Sequence, residues 1–277
     1  MKKLLITLYP FIKLFKNHQK ENVITRGSVF ITLVKLAFLK RLNKSTGKVN
    51  VRIGRFLLTS PDYETLSFLI KEKFVDEQYY FKETNLKPVI FDCGSSIGIS
   101  VLYFKCLYQG SEIYSFEPNP AAFGFLKMNV INNNLTNIHC YNLALSFEED
   151  TIDLFIPKQN SFINSKATKI DVAKYDQISV SAKSLSEFLL PLQEVHLVKI
   201  DVEGSELDII EDLKKEVLKR RIVKKFIIEY HVSIHPDKAT LNNFLTTFTN
   251  HGYLYKFIDE YKNEVKGDKL ILAYLEN

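Results

Sequence analysis

The stretch "VIFDCGSSIGIS" (89–100) runs from β-prone residues into an acid, Asp92, then two glycines four apart, Gly94 and Gly98, then residues able to start a helix. Val, Ile and Phe suit a short buried strand, and glycine supplies the sharp turn that must follow it. An acid at the carboxyl end of a strand, with a glycine turn and a helix start behind it, suits a ligand crevice in an open α/β sheet.

The flanking sequence repeats the alternation. "PVIFD" (88–92) reads as a strand, "IGISVLYFKCLY" (97–108) as a helix and "EIYSFE" (112–117) as a second strand. "PAAFGFLKMNVINNN" (120–134) follows as a helix, with Asn119 as N-cap and Pro120 at its first position. "NIHCYNLA" (137–144) is a third strand, and the polar segment 146–183 holds an expected edge hairpin around "TIDLFI". After a helical turn at "SLSEFL" (184–189), "VHLVKIDVEGSELDII" predicts a strand to about Asp201, a tight turn at Gly204 and a helix from Ser205 to about Leu218. "VKKFIIEYH" (223–231), a helix over 237–250, and "YLYKFI" with "KLILAYLE" complete the series. This order predicts an α/β fold: a seven-stranded, mostly parallel, Rossmann-like sheet with helices on both faces, ending in an antiparallel hairpin. It occupies residues 86–277.

Residues 1–85 read as a basic helical extension capping that domain. Residues 1–60 carry thirteen Lys and Arg against one acid, Glu21, whereas the rest of the chain carries 24 against 31. Segments 2–16 and 28–44 place apolar residues at helical spacing among lysines and arginines, the pattern of amphipathic cationic helices. "VNVRIGRFLLTS" (49–60) alternates like a hairpin, and Pro61 and Asp62 open a helix through Phe74. The cationic helices admit three readings: a cover over the crevice, a peripheral contact of residues 1–45 with an anionic membrane surface, or an acidic partner such as RNA. Nucleic acid is disfavoured, because the basic residues interleave with aliphatics rather than with an aromatic stacking platform. Pro10 and Lys13 interrupt the first apolar run, which does not read as a signal peptide, and no run approaches the roughly 20 apolar residues of a membrane span. Three cysteines without a CxxC or a Cys/His cluster fit a reduced cytoplasmic protein, and no metal site is expected.

The crevice is not built for a dinucleotide. Ser96 stands where the second glycine of G-x-G-x-x-G should be, and no P-loop motif exists. An acid before the glycine turn suits a positively charged or amine-bearing ligand. Glu117, at the end of the second strand, is placed to accept both hydroxyls of a ribose.

"DCGSSIG", the acid in "FEPNP" and "KIDVEGSE" together resemble the FkbM-type S-adenosylmethionine-dependent methyltransferases, over roughly residues 88–231. The resemblance implies that Asp92 and Gly94 lie by the methionine part of the cofactor and Glu117 by the ribose, and "FIIEYH" matches the family's fifth strand end. Ser95 and Ser96 stand where the family usually has Ala-Asn. Together with Gly98 they complete the expected cofactor loop, and Asn142 is the polar candidate near the adenine. Asp201, Glu203 and His231 are the candidates for the reaction centre, since a hydroxyl must lose its proton as it attacks the methyl group. Glu229 shares a strand face with His231, and these acids offer oxygen ligands although nothing requires an ion. His196, at the start of its strand, is expected at the surface. The implied activity is methyl transfer to a hydroxyl oxygen of a small molecule or glycan. A non-catalytic membrane-associated binding module and an RNA methyltransferase stand as alternatives.

Overall fold

The computed structural model describes residues 26–42, 47–147, 150–158, 175–258 and 268–276. Its centre is a seven-stranded sheet in the order β11-β12-β10-β9-β3-β4-β5. The strands are β3 (Val89–Cys93), β4 (Glu112–Phe116), β5 (Ile138–Tyr141), β9 (Leu197–Ile200), β10 (Lys225–Tyr230), β11 (Leu254–Phe257) and β12 (Lys269–Tyr274). All neighbours from β5 to β10 pair in parallel, and β12 runs antiparallel to both β10 and β11. The expected sheet and its antiparallel ending are therefore both present. β12 inserts between β10 and β11, so the hairpin forms inside the sheet edge.

Strand alternation sorts the side chains into two apolar layers. Ile90, Ile113, Leu197 and Ile227 face one core, which α3 (Ile99–Leu107) and α4 (Pro120–Asn132) cover with Leu102, Phe104 and Leu126. Phe91, Val198, Phe226 and Ile228 face the other, covered by the short α5 (Ser186–Leu189), α6 (Glu206–Leu213) and α8 (Lys238–Asn250) through Leu189, Ile209, Leu213, Phe244 and Phe248. The helix expected from Ser205 to Leu218 breaks after Leu213, and a short α7 (Val217–Arg220) follows. Glu216 at φ −133° interrupts it, with neither glycine nor proline to signal the break.

Ahead of the sheet stand α1 (Arg26–Leu42), a hairpin of β1 (Val49–Ile53) and β2 (Phe56–Ser60), and α2 (Tyr63–Ile70), which continues into a π-helical turn at Lys71–Val75. Asp62 caps α2 by accepting from Thr65 N at 2.6 Å, as its place in the sequence suggests. The expected helix over 2–16 lies outside the described residues. Val29, Leu36, Ile53, Leu58, Leu66 and Phe74 share the core of α3 and α4.

Two asparagines one helical turn apart fix the hairpin to α4. Asn129 accepts from Thr59 N and donates to Thr59 O, while Asn133 does the same for Leu57, at 2.7 to 2.9 Å. Their amides satisfy alternate backbone groups of β2 as a neighbouring strand would.

The polar segment forms a separate sheet, in which β8 (Tyr175–Lys183) lies between β6 (Ala144–Leu145) and β7 (Asp150–Pro157). The hairpin expected around "TIDLFI" is β7 with β8. His196 departs from expectation: it is 7% exposed, accepts from Val89 N at 3.1 Å and meets Asn85 Nδ2 at 2.9 Å. It ties β9 to the start of β3 at the end of the sheet remote from the strand carboxyl ends.

Candidate active site

Strand order reverses between β3 and β9, and a cavity of about 340 Å³ opens at the carboxyl ends there. Four strand ends and the N-terminal unit build it, the latter through Phe68, Leu69, Glu72 and Lys73.

The glycine turn is a packing necessity first. Gly94 has φ +83°, and a Cβ there would fall on the carbonyl of Asp201 at the end of β9. Gly98 has φ +84° and faces Leu126 of α4, which any side chain would strike. Between them, Ser95 turns inward, donating to Asp92 O at 2.8 Å and accepting from Ser115 Oγ at 2.7 Å. Ser96, at φ +48°, donates its amide to Glu117 Oε2 at 2.8 Å.

Glu117 is 2% exposed yet stands in the cavity wall. Its other oxygen accepts from Asn119 N at 2.8 Å. Burial pushes its carboxyl up to about 7, against the opposing pull of the Asn119 and Ser96 amides and of Lys199. Asn142 is exposed and outside the cavity wall, donating to the carbonyls of Glu117 and Pro118. It braces the loop behind Glu117.

Asp92 lies beneath the cavity rather than in its wall. Its Oδ2 accepts from Ser100 Oγ at 2.6 Å, and its Oδ1 lies 3.3 Å from Lys199 Nζ. Lys199, 1% exposed in a central strand, also donates to Gly94 O at 2.6 Å and sits 3.4 Å from Asp201 Oδ2. Burial alone lowers a lysine's pKa, but Asp201 and Asp92 outweigh it and hold this one above its ordinary value.

Asp201, Glu203 and His231 come together as the spacing suggested. His231 Nε2 is 3.4 Å from Glu203 Oε2 and 4.0 Å from Asp201 Oδ1, and its Nδ1 is 2.6 Å from Glu206 Oε1. Burial opposes the imidazolium, yet the Glu206 bond and the charges of Glu206, Glu203 and Asp201 push His231 up to about 10. Burial works against the Asp201 carboxylate in the same way. Lys199, Lys73, His231 and the Tyr79 hydroxyl overcome it and hold the group below the usual carboxylate range.

Sequence reasoning missed Lys199, Lys73, Tyr79, Glu206 and Asp268. Only Lys199 left a legible sign: a lysine in the middle of "LVKI", a strand otherwise apolar throughout. The cavity wall combines the apolar Phe116, Leu143, Leu145 and Leu154 with an acidic cluster of Asp201, Glu203, Glu229 and Asp268 around His231. Cys93 is fully buried, and burial raises its thiol well above the ordinary range, so it is no nucleophile. No described helix is long and apolar enough to cross a membrane.

Residues 92–255, more than half of the chain, match the model of the methyltransferase FkbM domain. Methyltransferase 1 of Beauveria bassiana (strain ARSEF 2860) is 31% identical over 170 residues, covering 54% of this chain and 68% of the relative. The 31-O-demethyl-FK506 methyltransferase FkbM of Streptomyces tacrolimicus is 33% identical over 70 residues, covering 24% of this chain and 27% of that protein. The crystal structure of a methyltransferase FkbM from Methylobacillus flagellatus KT aligns at a TM-score of 0.48 and 15% identity, over 76% of this chain and 54% of that one.

Proposed function

The chain belongs to the FkbM methyltransferase family, and from that premise we propose that it moves a methyl group from S-adenosylmethionine to a hydroxyl oxygen of a small molecule or glycan. Glu117 carries the cofactor reading. Its carboxylate stands in the cavity wall, oriented by the Ser96 and Asn119 amides, and one carboxylate can accept from both hydroxyls of a ribose. The apolar lining of the cavity suits a purine, and the acidic cluster suits the sulfonium and ammonium charges of the methionine end. Asp92 acts from below, holding Ser100 and Lys199 and through them the glycine turn.

Methyl transfer from a sulfonium is an in-line displacement that needs alignment before it needs a base. The acceptor oxygen bonds to the methyl carbon as the carbon–sulfur bond breaks, the electron pair stays on sulfur, and the hydroxyl proton leaves. His231 holds its own proton in the resting site, so Glu203 is the acceptor for that proton, with His231 and Asp201 positioning it. The Streptomyces relative bears the name of a methyltransferase of 31-O-demethyl-FK506, which supports an oxygen acceptor here.

Calorimetry with S-adenosylmethionine and S-adenosylhomocysteine tests the cofactor reading, with Glu117→Ala as control. Micromolar binding destroyed by the substitution supports it; wild-type affinity in the variant sinks the assignment. Transfer of a labelled methyl group to a panel of hydroxyl acceptors, slowed in Glu203→Gln, tests the acceptor reading.

A second reading concerns location. α1 leaves Ile31, Phe38 and Leu42 at 60% exposure or more, beside Lys35, Lys40 and Arg41. An apolar stripe among cations supports peripheral contact with an anionic membrane. Deleting residues 1–45 would also remove core residues Val29 and Leu36, so Ile31→Asp with Phe38→Asp is the cleaner test. Loss of co-sedimentation with phosphatidylserine vesicles supports the contact, and unchanged sedimentation removes it.

A further inference from the structure

The cavity wall carries six carboxylates against two lysines and His231. Glu229, His231 and Asp268 are all buried, and each offers one ligand atom, all within 4.8 Å of one another. Asp268 is the telling member. It is 3% exposed, it stands in the cavity wall, and neither of its carboxylate oxygens has a hydrogen-bond partner among the described residues. Burying an ionised carboxylate without a partner is costly, and a second carboxylate beside it adds repulsion. The arrangement is consistent with a positive occupant between them.

His231 points the same way. Glu206, fully buried behind it, takes Nδ1 at 2.6 Å. A carboxylate that holds the Nδ1–H leaves Nε2 as the nitrogen that turns to an ion once the ion displaces its proton, as the outer partners of metal-binding histidines do. Nε2 faces the cavity side, toward Glu203 and Asp201.

We propose that Glu229, His231 and Asp268 bind a hard divalent cation, Mg²⁺ or Mn²⁺. Two carboxylates and one imidazole form a hard donor set without a thiolate, which suits these ions over softer metals. Three protein ligands leave coordination positions for water and for an acceptor. Resting on the methyl-transfer reading, the ion holds the acceptor hydroxyl in one of those positions and lowers its pKa.

Binding is tested without activity. Chelator-treated full-length protein is titrated with MnCl₂, and free Mn²⁺ is followed by its electron paramagnetic resonance signal. One saturable Mn²⁺ per chain, displaced by Mg²⁺ and weakened at least tenfold in both Asp268→Asn and Glu229→Gln, is the expected result. Glu64→Gln, at an exposed acid of α2, is expected to leave it unchanged. No saturable binding to the folded wild type overturns the proposal, as does binding that neither near-isosteric substitution weakens. Circular dichroism of each variant separates lost binding from lost fold. Calorimetry with S-adenosylmethionine on the same sample keeps the two readings apart: cofactor binding without an Mn²⁺ site sinks only the ion, and the reverse sinks only the cofactor.

Discussion

Tyr79 donates a 2.7 Å hydrogen bond from its hydroxyl to Asp201 Oδ2, across 122 positions of the chain. The ring is fully buried, stacks on Phe104 at 6.4 Å, and has Lys73 Nζ 4.0 Å and Lys199 Nζ 5.1 Å from its centroid. The N-terminal unit thus helps to set the charge of a strand end at the cavity.

Tyr79→Phe keeps the ring and removes the donor. Stability at pH 7 is expected to fall by about 1.5 to 3 kcal/mol, the range for a hydrogen bond to a charged group. Asp201 has a depressed pKa, so the stability it contributes is present above the unfolded value near 3.9 and lost as pH falls. Urea unfolding from pH 7 downward should show the variant losing less on acidification than the wild type. Parallel curves would mean that the hydroxyl does not feel the carboxylate's charge.

Lys199 sits between Asp92 and Asp201 with no exposure to speak of. Lys199→Met strands two carboxylates, at a cost of about 3 to 5 kcal/mol. Adding Asp92→Asn should return part of that loss, and denaturation of the four proteins of the cycle measures it. Additive losses would show that the two groups are energetically independent.

Glu117 sets a pH dependence of the opposite kind. Its folded pKa of about 7 lies above the unfolded value, so the folded state binds more protons between about 4.5 and 7. The wild type should therefore lose roughly 3 kcal/mol relative to Glu117→Gln as pH rises through that window. Denaturation at pH 5 and pH 8 checks it. Cofactor affinity should move the other way, rising with pH through about 7 as the carboxylate ionises.

Gly98→Ala forces a side chain to φ +84° and against Leu126. A loss of about 1 to 3 kcal/mol is expected from the backbone alone, with the clash added to it. Leu126→Ala in the same chain should relieve only the side-chain part of the clash, since φ is unchanged and the Leu126 Cα would still lie 3.2 Å from the new Cβ. Full rescue by Leu126→Ala would show that strain at φ +84° counts for nothing.

The sheet was legible because each strand and helix carries its own period, and Asp92, Gly94 and Glu117 were legible because they end strands. Asp201, Glu203 and His231 could be brought to one edge by counting strands. Lys73 and Asp268, which reach the cavity from a π-helical turn and a strand start, and Tyr79, which reaches Asp201 from a loop, could not, because no local pattern ties them to it. Asn129 and Asn133 read as ordinary helix residues, since their partner is the backbone of a hairpin some 70 positions earlier. His196 misled for a related reason: histidine is commonly half-exposed, and only the neighbouring start of β3 accounts for its burial.

The place of β12 bears on how the protein is assembled. Among the described residues, β11 precedes β12 in the chain but pairs with the rest of the sheet only through it. A nascent chain that has made β11 has no partner for it until β12 docks on β10. Asp268 heads that late strand, so the cavity wall is completed by one of the last sheet elements to be synthesised. Closing the cavity is therefore tied to the docking of β12 on β10, and the parallel strands alone do not complete it.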